Sequence, residues 1–379
     1  MKIAIDIRNI GKQRTGSEVV VTELTKNILE LDKENEYLLL TNTDDELVLK
    51  NINEKLNLGD KKNAQVISLE AKNKFVWAAW TMPVFFRKNK IDVFHSEYIL
   101  PFFIPKRIKV VTHIHDVSFK VYRQMILKKD LFFLDLFIPR SVRRSDKIIA
   151  VSQFTKDEIL KYYKVDADKI EVVFNSTNLI EREITEEMEK TICEKYNLPE
   201  KFILYIGTLQ PRKNIPLLIE AYAKIKNKIP EIKLVLAGNK NGHNFDKKIN
   251  EVLLKNDLNK DIIFAGFIDT IDKVVVYKMA TVYVFPSFYE GFGIPILEAM
   301  SQGVPVLASD IPPHREVGVN EDIYFNPNSI DNLSDMLYNI CIDKERRERL
   351  IKLGLVKSNF FSWKESAQKM LNLFNSFNK

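Results

Sequence analysis

The sequence predicts an α/β protein made of two successive units, each a parallel sheet with crossover helices. Three observations carry that expectation. The chain has 379 residues, too many for one comfortable core. Short β-branched runs alternate with stretches of helical spacing from end to end, the pattern of parallel strands joined by helices. The alternation stops at 181–197, a charged stretch without strand character, and then starts again.

Taken in order, Ile3–Ile7 reads as a buried first strand; it is too short and wrongly flanked for a signal peptide. Val19–Leu31 has helical spacing, and Tyr37–Thr41 reads as a second strand. Asp92–His95, Val110–His113, Lys147–Val151 and Ile170–Phe174 complete the first set. The second set is Phe202–Ile206, Lys233–Ala237, Ile262–Ala265, Val282–Pro286 and Val304–Ala308, with a helix over Ile215–Ile225. The expected units are residues 1–180 and 198–357. The remaining segment, 358–379, places Trp363, Ala367, Met370, Leu371 and Phe374 at helical spacing and is expected to cross back onto the first unit.

Hydrophobic residues make up 45% and charged residues 28%, ordinary globular values. No apolar run reaches the ~18–20 residues of a membrane span. Cys193 and Cys341 lack metal-ligand or CxxC spacing and fit unpaired thiols in a reducing cytoplasm. No metal and no cofactor are expected. The net charge of +6 is uneven: residues 72–147 hold 16 basic against 6 acidic side chains, a balance of +10. Such a concentration suits an anionic partner (phosphorylated lipid, membrane surface or nucleic acid) or is simply a solvated lysine-rich face. Phe75–Trp80 and Val84–Phe86, followed by Arg87, Lys88 and Lys90, mix aromatic and basic groups as bilayer interfaces do, and Leu127–Arg144 has a similar mixture. The competing reading places those aromatics in the first unit's core.

Two stretches carry chemistry. From Phe285 to Met300 a strand ends, a loop with Gly291 and Gly293 follows, and a helix starts with Pro295 in its first turn. Glycines there let a ligand approach the backbone, and a helix start offers N–H groups to a phosphate. Glu290 in the loop and Glu298, expected in the first turn, suit the hydroxyls of a nucleotide sugar. The second stretch, Gly207 to Asn214, follows the strand Phe202–Ile206. Arg212 and Lys213 there lie beyond a strand's carboxyl end, where ligands of open α/β sheets bind, and can neutralise a diphosphate.

The Glu–seven residues–Glu pattern and the Gly207-Thr208-Leu209-Gln210-Pro211-Arg212-Lys213-Asn214 stretch resemble the retaining glycosyltransferases of family four. Ser309–Val317, Ile149–Ser152 and Phe361-Ser362-Trp363 are similar to further landmarks of that family, and the likeness covers nearly the whole chain. The resemblance implies the GT-B fold, two Rossmann-like domains facing across a cleft, with the donor on the second and the acceptor on the first. It implies that Arg212 and Lys213 hold a pyrophosphate, that Glu290 contacts the transferred sugar, and that Glu298 grips the ribose. It implies that Phe292, Gly293 and Ile294 touch phosphate and sugar through the backbone, and that His115, beside Asp116, faces the donor sugar. His113 would share His115's side if the strand continued. Two departures stand out. Of Arg14-Thr15-Gly16-Ser17-Glu18 only Gly16 matches the family's glycine loop firmly, and Phe174-Asn175-Ser176 stands where Pro-Asn-Gly is common.

The implied activity is transfer of a hexose from a nucleotide-diphosphate sugar to a glycan or lipid-linked acceptor in cell-surface polysaccharide synthesis. The implied location is the cytoplasm, with peripheral association at the inner face of the membrane and no nucleic-acid partner. A phosphorylase or epimerase on the same fold, or a non-catalytic binder of anionic polymers, is the alternative.

Overall fold

A computed structural model describes residues 1–11, 16–258 and 260–378; Arg14 and Thr15 of the first glycine segment lie outside the described residues. The chain forms two compact units. The first comprises Met1–Val121, Lys128–Asn175 and Ser362–Lys379; the second comprises Tyr122–Leu127 and Ser176–Phe361.

The first unit holds seven strands: β1 (Lys2–Asp6), β2 (Glu36–Thr41), β3 (Ala64–Ser68), β4 (Val93–Glu97), β5 (Lys109–Ile114), β6 (Lys147–Ala150) and β7 (Ile170–Val172). They pair in parallel in the order β3-β2-β1-β4-β5-β6-β7. The second holds β8 (Lys201–Ile206), β9 (Ile232–Ala237), β10 (Ile262–Phe264), β11 (Val282–Phe285), β12 (Val306–Ser309) and β13 (Tyr324–Phe325). Its order is β10-β9-β8-β11-β12-β13, again parallel.

Parallel strands covered by helices on both faces read as continuous apolar runs. Ile3, Ala4 and Ile5 of β1 and Phe202, Ile203 and Leu204 of β8 are fully buried accordingly. β3 and β13 were not anticipated. Both are edge strands, and β3 is only half covered, so neither needs the apolar run that betrays a central strand.

In the first unit the helix Gly16–Leu31 buries Val20, Val21, Leu24, Ile28 and Leu29. The helix Trp363–Asn375 belongs to the same unit and buries Trp363, Ala367, Met370, Leu371 and Phe374. Ser362 caps it by accepting from the Glu365 backbone N–H, and Ser-x-x-Glu is the spacing of a capping box.

Each sheet reverses its strand order once. The reversal lies between β1 and β4 in the first and between β8 and β11 in the second. Adjacent connections leave such a point on opposite faces, which opens a crevice at the strands' carboxyl ends.

Candidate functional site

At the second reversal, β8 leads into Gly207 and the short turn Pro211–Lys213, and β11 leads into Ser287–Gly293. The two loops are clipped together by backbone: Phe288 N–H donates to the Arg212 carbonyl at 2.9 Å. Asn214, in the left-handed region at φ 55°, ends the turn and donates from Nδ2 to the Pro327 carbonyl. Gly207 has a packing reason to be glycine, because a Cβ there would lie 2.6 Å from the Tyr205 hydroxyl oxygen.

The clipped loops bring together the two cations and the first glutamate. Arg212 Nη1 donates to the Tyr289 carbonyl at 3.1 Å and to Glu290 Oε2 at 3.0 Å. Lys213 Nζ donates to Glu290 Oε1 at 2.5 Å and lies 5.0 Å from the Phe285 ring centroid. Burial would raise the Glu290 pKa; Lys213 and then Arg212 outweigh it and hold the carboxyl down at about 2. The cluster of two cations and one carboxylate therefore keeps one net positive charge in a largely dry site, where an anion gains most from it.

Gly293, at φ 137°, precedes the helix Ile294–Ser301. Glu298 is the fifth residue of that helix and lies past its first turn, which corrects the expected position. Because the helix begins only at Ile294, Glu298 turns inward, with just 2% of its surface exposed. It accepts from Lys273 Nζ at 2.9 and 3.1 Å and from the Tyr277 hydroxyl at 2.9 Å. Lys273 and Tyr277 stand four apart on the helix Thr270–Met279 and share its inner face. Neither was picked out in the sequence. Phe292 is buried with its ring 5.6 Å from that of Phe361, and Ile294 is half-buried at the helix start.

His314, from the helix Pro312–Val317, sits behind this cluster. Its Nδ1 bonds the Ser309 carbonyl at 2.9 Å, and its buried Nε2 has no partner among the described residues. Burial, opposed by the charge of Glu290, brings its pKa down to about 4, so the ring is neutral.

At the first reversal a different set gathers. Glu97 ends β4, and its Oε1 lies 2.6 Å from His115 Nε2. Asn9, just past β1, donates to Glu97 Oε2 at 2.5 Å. A carboxylate only accepts, so Nε2 carries the proton and a neutral His115 ring is left with Nδ1 as its acceptor. His113 and His115 stack, with centroids 4.7 Å apart, and so share a side. His113 is buried, and burial first, then His115 and His95, holds its pKa well below the usual histidine range. Tyr98, at φ 50°, places its ring 5.5 Å from His115 and accepts from the Asp116 backbone N–H. A non-glycine residue in the left-handed region costs about 1 kcal/mol, and such strain recurs at functional sites. The Asp116 carboxylate caps the Ser118 backbone. Gly16 opens the helix Gly16–Leu31 at an exposed position with nothing near a would-be Cβ. Glu18 is turned inward and accepts from Gly11 N–H and Lys55. Among the described residues no cluster of His, Cys, Asp and Glu could hold a metal ion, and no helix is long and apolar enough to cross a membrane.

Two parallel-sheet units with these sites invite comparison with sugar-transferring enzymes, and known proteins agree. The family model for Glycosyltransferase Family 4 matches residues 14–180, and that for Glycosyl transferases group 1 matches residues 189–355. The chain is 30% identical over 301 residues to O-antigen chain mannosyltransferase B of Escherichia coli, covering 78% of this chain and 76% of that protein. Its fold is similar to sucrose-phosphate synthase from Thermosynechococcus elongatus, with a TM-score of 0.76 at 19% identity over 99% of this chain and 98% of that one. It is also similar to Anabaena Alr3699/HepE, solved in complex with UDP-glucose, with a TM-score of 0.74 at 17% identity over 99% and 100% of the two chains. The chain belongs to the group 1 glycosyltransferases and has their GT-B fold.

Proposed function

We propose that the protein is a retaining hexosyltransferase that moves a sugar from a nucleoside-diphosphate donor to a glycan or lipid-linked acceptor in cell-surface polysaccharide synthesis. The observation that carries this reading is the ion cluster at the β8/β11 reversal: Arg212 and Lys213 around a carboxylate that is ionised throughout the neutral range. The E. coli O-antigen mannosyltransferase and the UDP-glucose complex of the Anabaena protein support the classes of acceptor and donor.

In this reading Arg212 and Lys213 share their charge between Glu290 and the donor's pyrophosphate. As the glycosidic bond to phosphate breaks, negative charge grows on the departing diphosphate, and cations already fixed in place stabilise it without reorganising. Glu290 faces the sugar, which turns positive at the same moment. It binds and stabilises; no covalent glycosyl intermediate is invoked, and the leaving phosphate oxygen accepts the acceptor's proton. Glu298, held by Lys273 and Tyr277, takes the ribose hydroxyls, and His115 on the first unit faces the sugar. No metal ion has a part.

The test is a donor screen by thermal shift, since a bound ligand raises apparent stability, followed by proton NMR of the product formed from the best donor. A product with the donor's anomeric configuration supports retention; the opposite anomer overturns it. Cleavage of a glycan's glycosidic bond by added phosphate, giving a sugar 1-phosphate and the shortened glycan without need of a nucleotide sugar, would identify a phosphorylase instead.

A further inference from the structure

The carboxyl ends of β1 and β4 carry a second polar set, on the sheet face opposite Glu97. Side chains alternate along a strand, so Ser96 points away from the side that Glu97 takes. Ser96 Oγ donates to Asp6 Oδ2 at 2.9 Å and ties the two strand ends together. Arg8, just past β1, donates from Nε to Asp6 Oδ1 at 2.9 Å and from Nη2 to Asp6 Oδ2 at 2.7 Å, the two-pronged grip of a guanidinium on a carboxylate. Asp6 is buried. Burial would raise its pKa, but the charge of Arg8 outweighs it and holds the carboxyl below its usual value.

The guanidinium is held by its face as well as its edge. Its carbon lies 3.5 Å from the centre of the Trp77 ring, close enough for the two planes to stack. Of the aromatic stretch Phe75–Trp80, Phe75 and Trp80 are exposed and Trp77 is buried. Trp77 opens a π-helical turn, Trp77–Thr81, in which the Met82 N–H reaches back to the Trp77 carbonyl. Pro83 has no N–H to give the Ala79 carbonyl, which favours the widened register. Turns of this kind gather at functional sites.

One edge of Arg8 is left over. Its Nη1 has no partner among the described residues, and it is not shut away from solvent; the side chain as a whole is 25% exposed. A long side chain usually loses rotamer freedom when a ligand fixes it. Here Asp6, Ser96 and Trp77 have fixed it beforehand, as a binding group is held by its supporting shell. The edge lies beyond strand ends at a reversal, where ligands of such sheets bind. Arg212 and Lys213 share one carboxylate and keep a positive charge, whereas Arg8 and Asp6 cancel. The open edge of a cancelled pair suits a neutral oxygen, a hydroxyl, better than a phosphate.

We propose that Arg8 reads the acceptor: its Nη1 donates to a hydroxyl oxygen of the acceptor sugar, and Asp6 and Trp77 are positioning residues that hold the guanidinium for it. The inference rests on the sugar-transfer reading above.

The intact protein is assayed with UDP-glucose and GDP-mannose as donors and octyl glycosides of glucose, mannose, galactose and N-acetylglucosamine as acceptors. No transfer to any of them, with no release of nucleoside diphosphate, overturns the sugar-transfer reading and this inference with it. With the best pair, Arg8→Lys keeps a cation beside Asp6 and loses the second edge. It should raise the acceptor KM by about tenfold, the worth of one hydrogen bond from a charged donor, with kcat at saturating acceptor and the donor KM little changed. A deoxy acceptor lacking the bonded hydroxyl should bind more weakly to the unaltered protein and no more weakly still to Arg8→Lys. Trp77→Phe leaves a smaller ring under the guanidinium; it should raise the acceptor KM by less, and it carries the test if Arg8→Lys does not fold. When transfer is present, three results overturn the proposal alone. The first is an acceptor KM that neither variant changes. The second is a joint loss of turnover, donor affinity and melting temperature, the mark of a merely structural pair. The third is inorganic phosphate that competes with the acceptor only while Arg8 is present, which would make the edge an anion site.

Discussion

The two strand-order reversals use the same topology for different chemistry. At β1/β4 the assembled groups are an amide, a carboxylate and an imidazole: Asn9, Glu97 and His115. At β8/β11 they are a guanidinium, an ammonium and a carboxylate: Arg212, Lys213 and Glu290. The first set offers hydrogen-bond donors and acceptors around a single carboxylate, and suits hydroxyl groups. The second is charged at every pH near neutrality and suits a diphosphate. One crevice geometry is thus specialised by which residues end two adjacent strands.

The cation cluster should give the largest effects. Arg212→Ala and Lys213→Ala are each expected to weaken nucleoside-diphosphate binding by about ten- to a hundredfold, the worth of a buried charge-assisted contact. Lys213→Ala should also lower stability, because Glu290 is left with one partner in a dry site. Titration calorimetry and thermal unfolding measure the two. A variant that binds nucleotide normally would leave the second reversal without its assigned ligand.

The two glutamates of the second unit divide next. Glu298→Ala should weaken binding of the free nucleoside diphosphate by about tenfold, if the ribose rests on it. Glu290→Ala should spare that binding, since Arg212 and Lys213 then keep their full charge for phosphate, while transfer falls. Glu290→Gln keeps the shape and removes the charge, so its loss of turnover isolates the electrostatic part. The opposite result, nucleotide binding lost in Glu290→Ala and kept in Glu298→Ala, would exchange the two roles.

The first reversal should respond more gently. If Glu97 acts by holding His115, Glu97→Gln frees the tautomer, because an amide offers an N–H as well as an oxygen. Turnover is expected to fall about tenfold with KM little changed, and the Glu97→Gln/His115→Gln pair should be no worse than His115→Gln alone. Additive losses would mean that the two residues act separately.

The same contrast explains what could be read in advance. The second site is written in two short stretches, 207–214 and 285–300, where a strand end, glycines and charged residues follow one another. In the first site His115 came forward by its resemblance, but Asn9 and Glu97 are 88 residues apart and meet only because β1 and β4 are neighbours, with Ile5 opposite His95. Nothing local marks such a pair. Lys273 and Tyr277 were hidden for another reason: four apart on a helix, they look like any amphipathic spacing until the helix is seen against Glu298. Arg212 and Lys213 were legible as cations at a strand end, whereas their clasp on Glu290 depends on the backbone clip from Phe288 to Arg212.

The last expected effect falls on stability and not on binding or turnover, and concerns a buried histidine in each unit. His95 on β4 and His314 behind the ion cluster are both held neutral by burial, with pKa values brought down to about 4 from an ordinary 6.5. Nearby carboxylates, Glu97 and Asp6 for His95 and Glu290 for His314, offset part of that shift. The unfolded chain binds these protons near pH 6.5 and the folded protein only near 4, so stability is complete above the first value and declines as pH falls toward the second. Glu290 works in a lower window: its contribution is complete above 4.5, declines as pH falls below that value and is gone near 2. Scanning calorimetry between neutrality and pH 4 should therefore show a Tm falling by several degrees, a few degrees for each kcal/mol lost. His95→Gln should lessen that slope for the first unit, where buried His113 still contributes, if the units unfold separately, and for the whole protein if they unfold together. A Tm that holds steady down to pH 4 in the unaltered protein would mean that neither imidazole is as dry as its packing makes it.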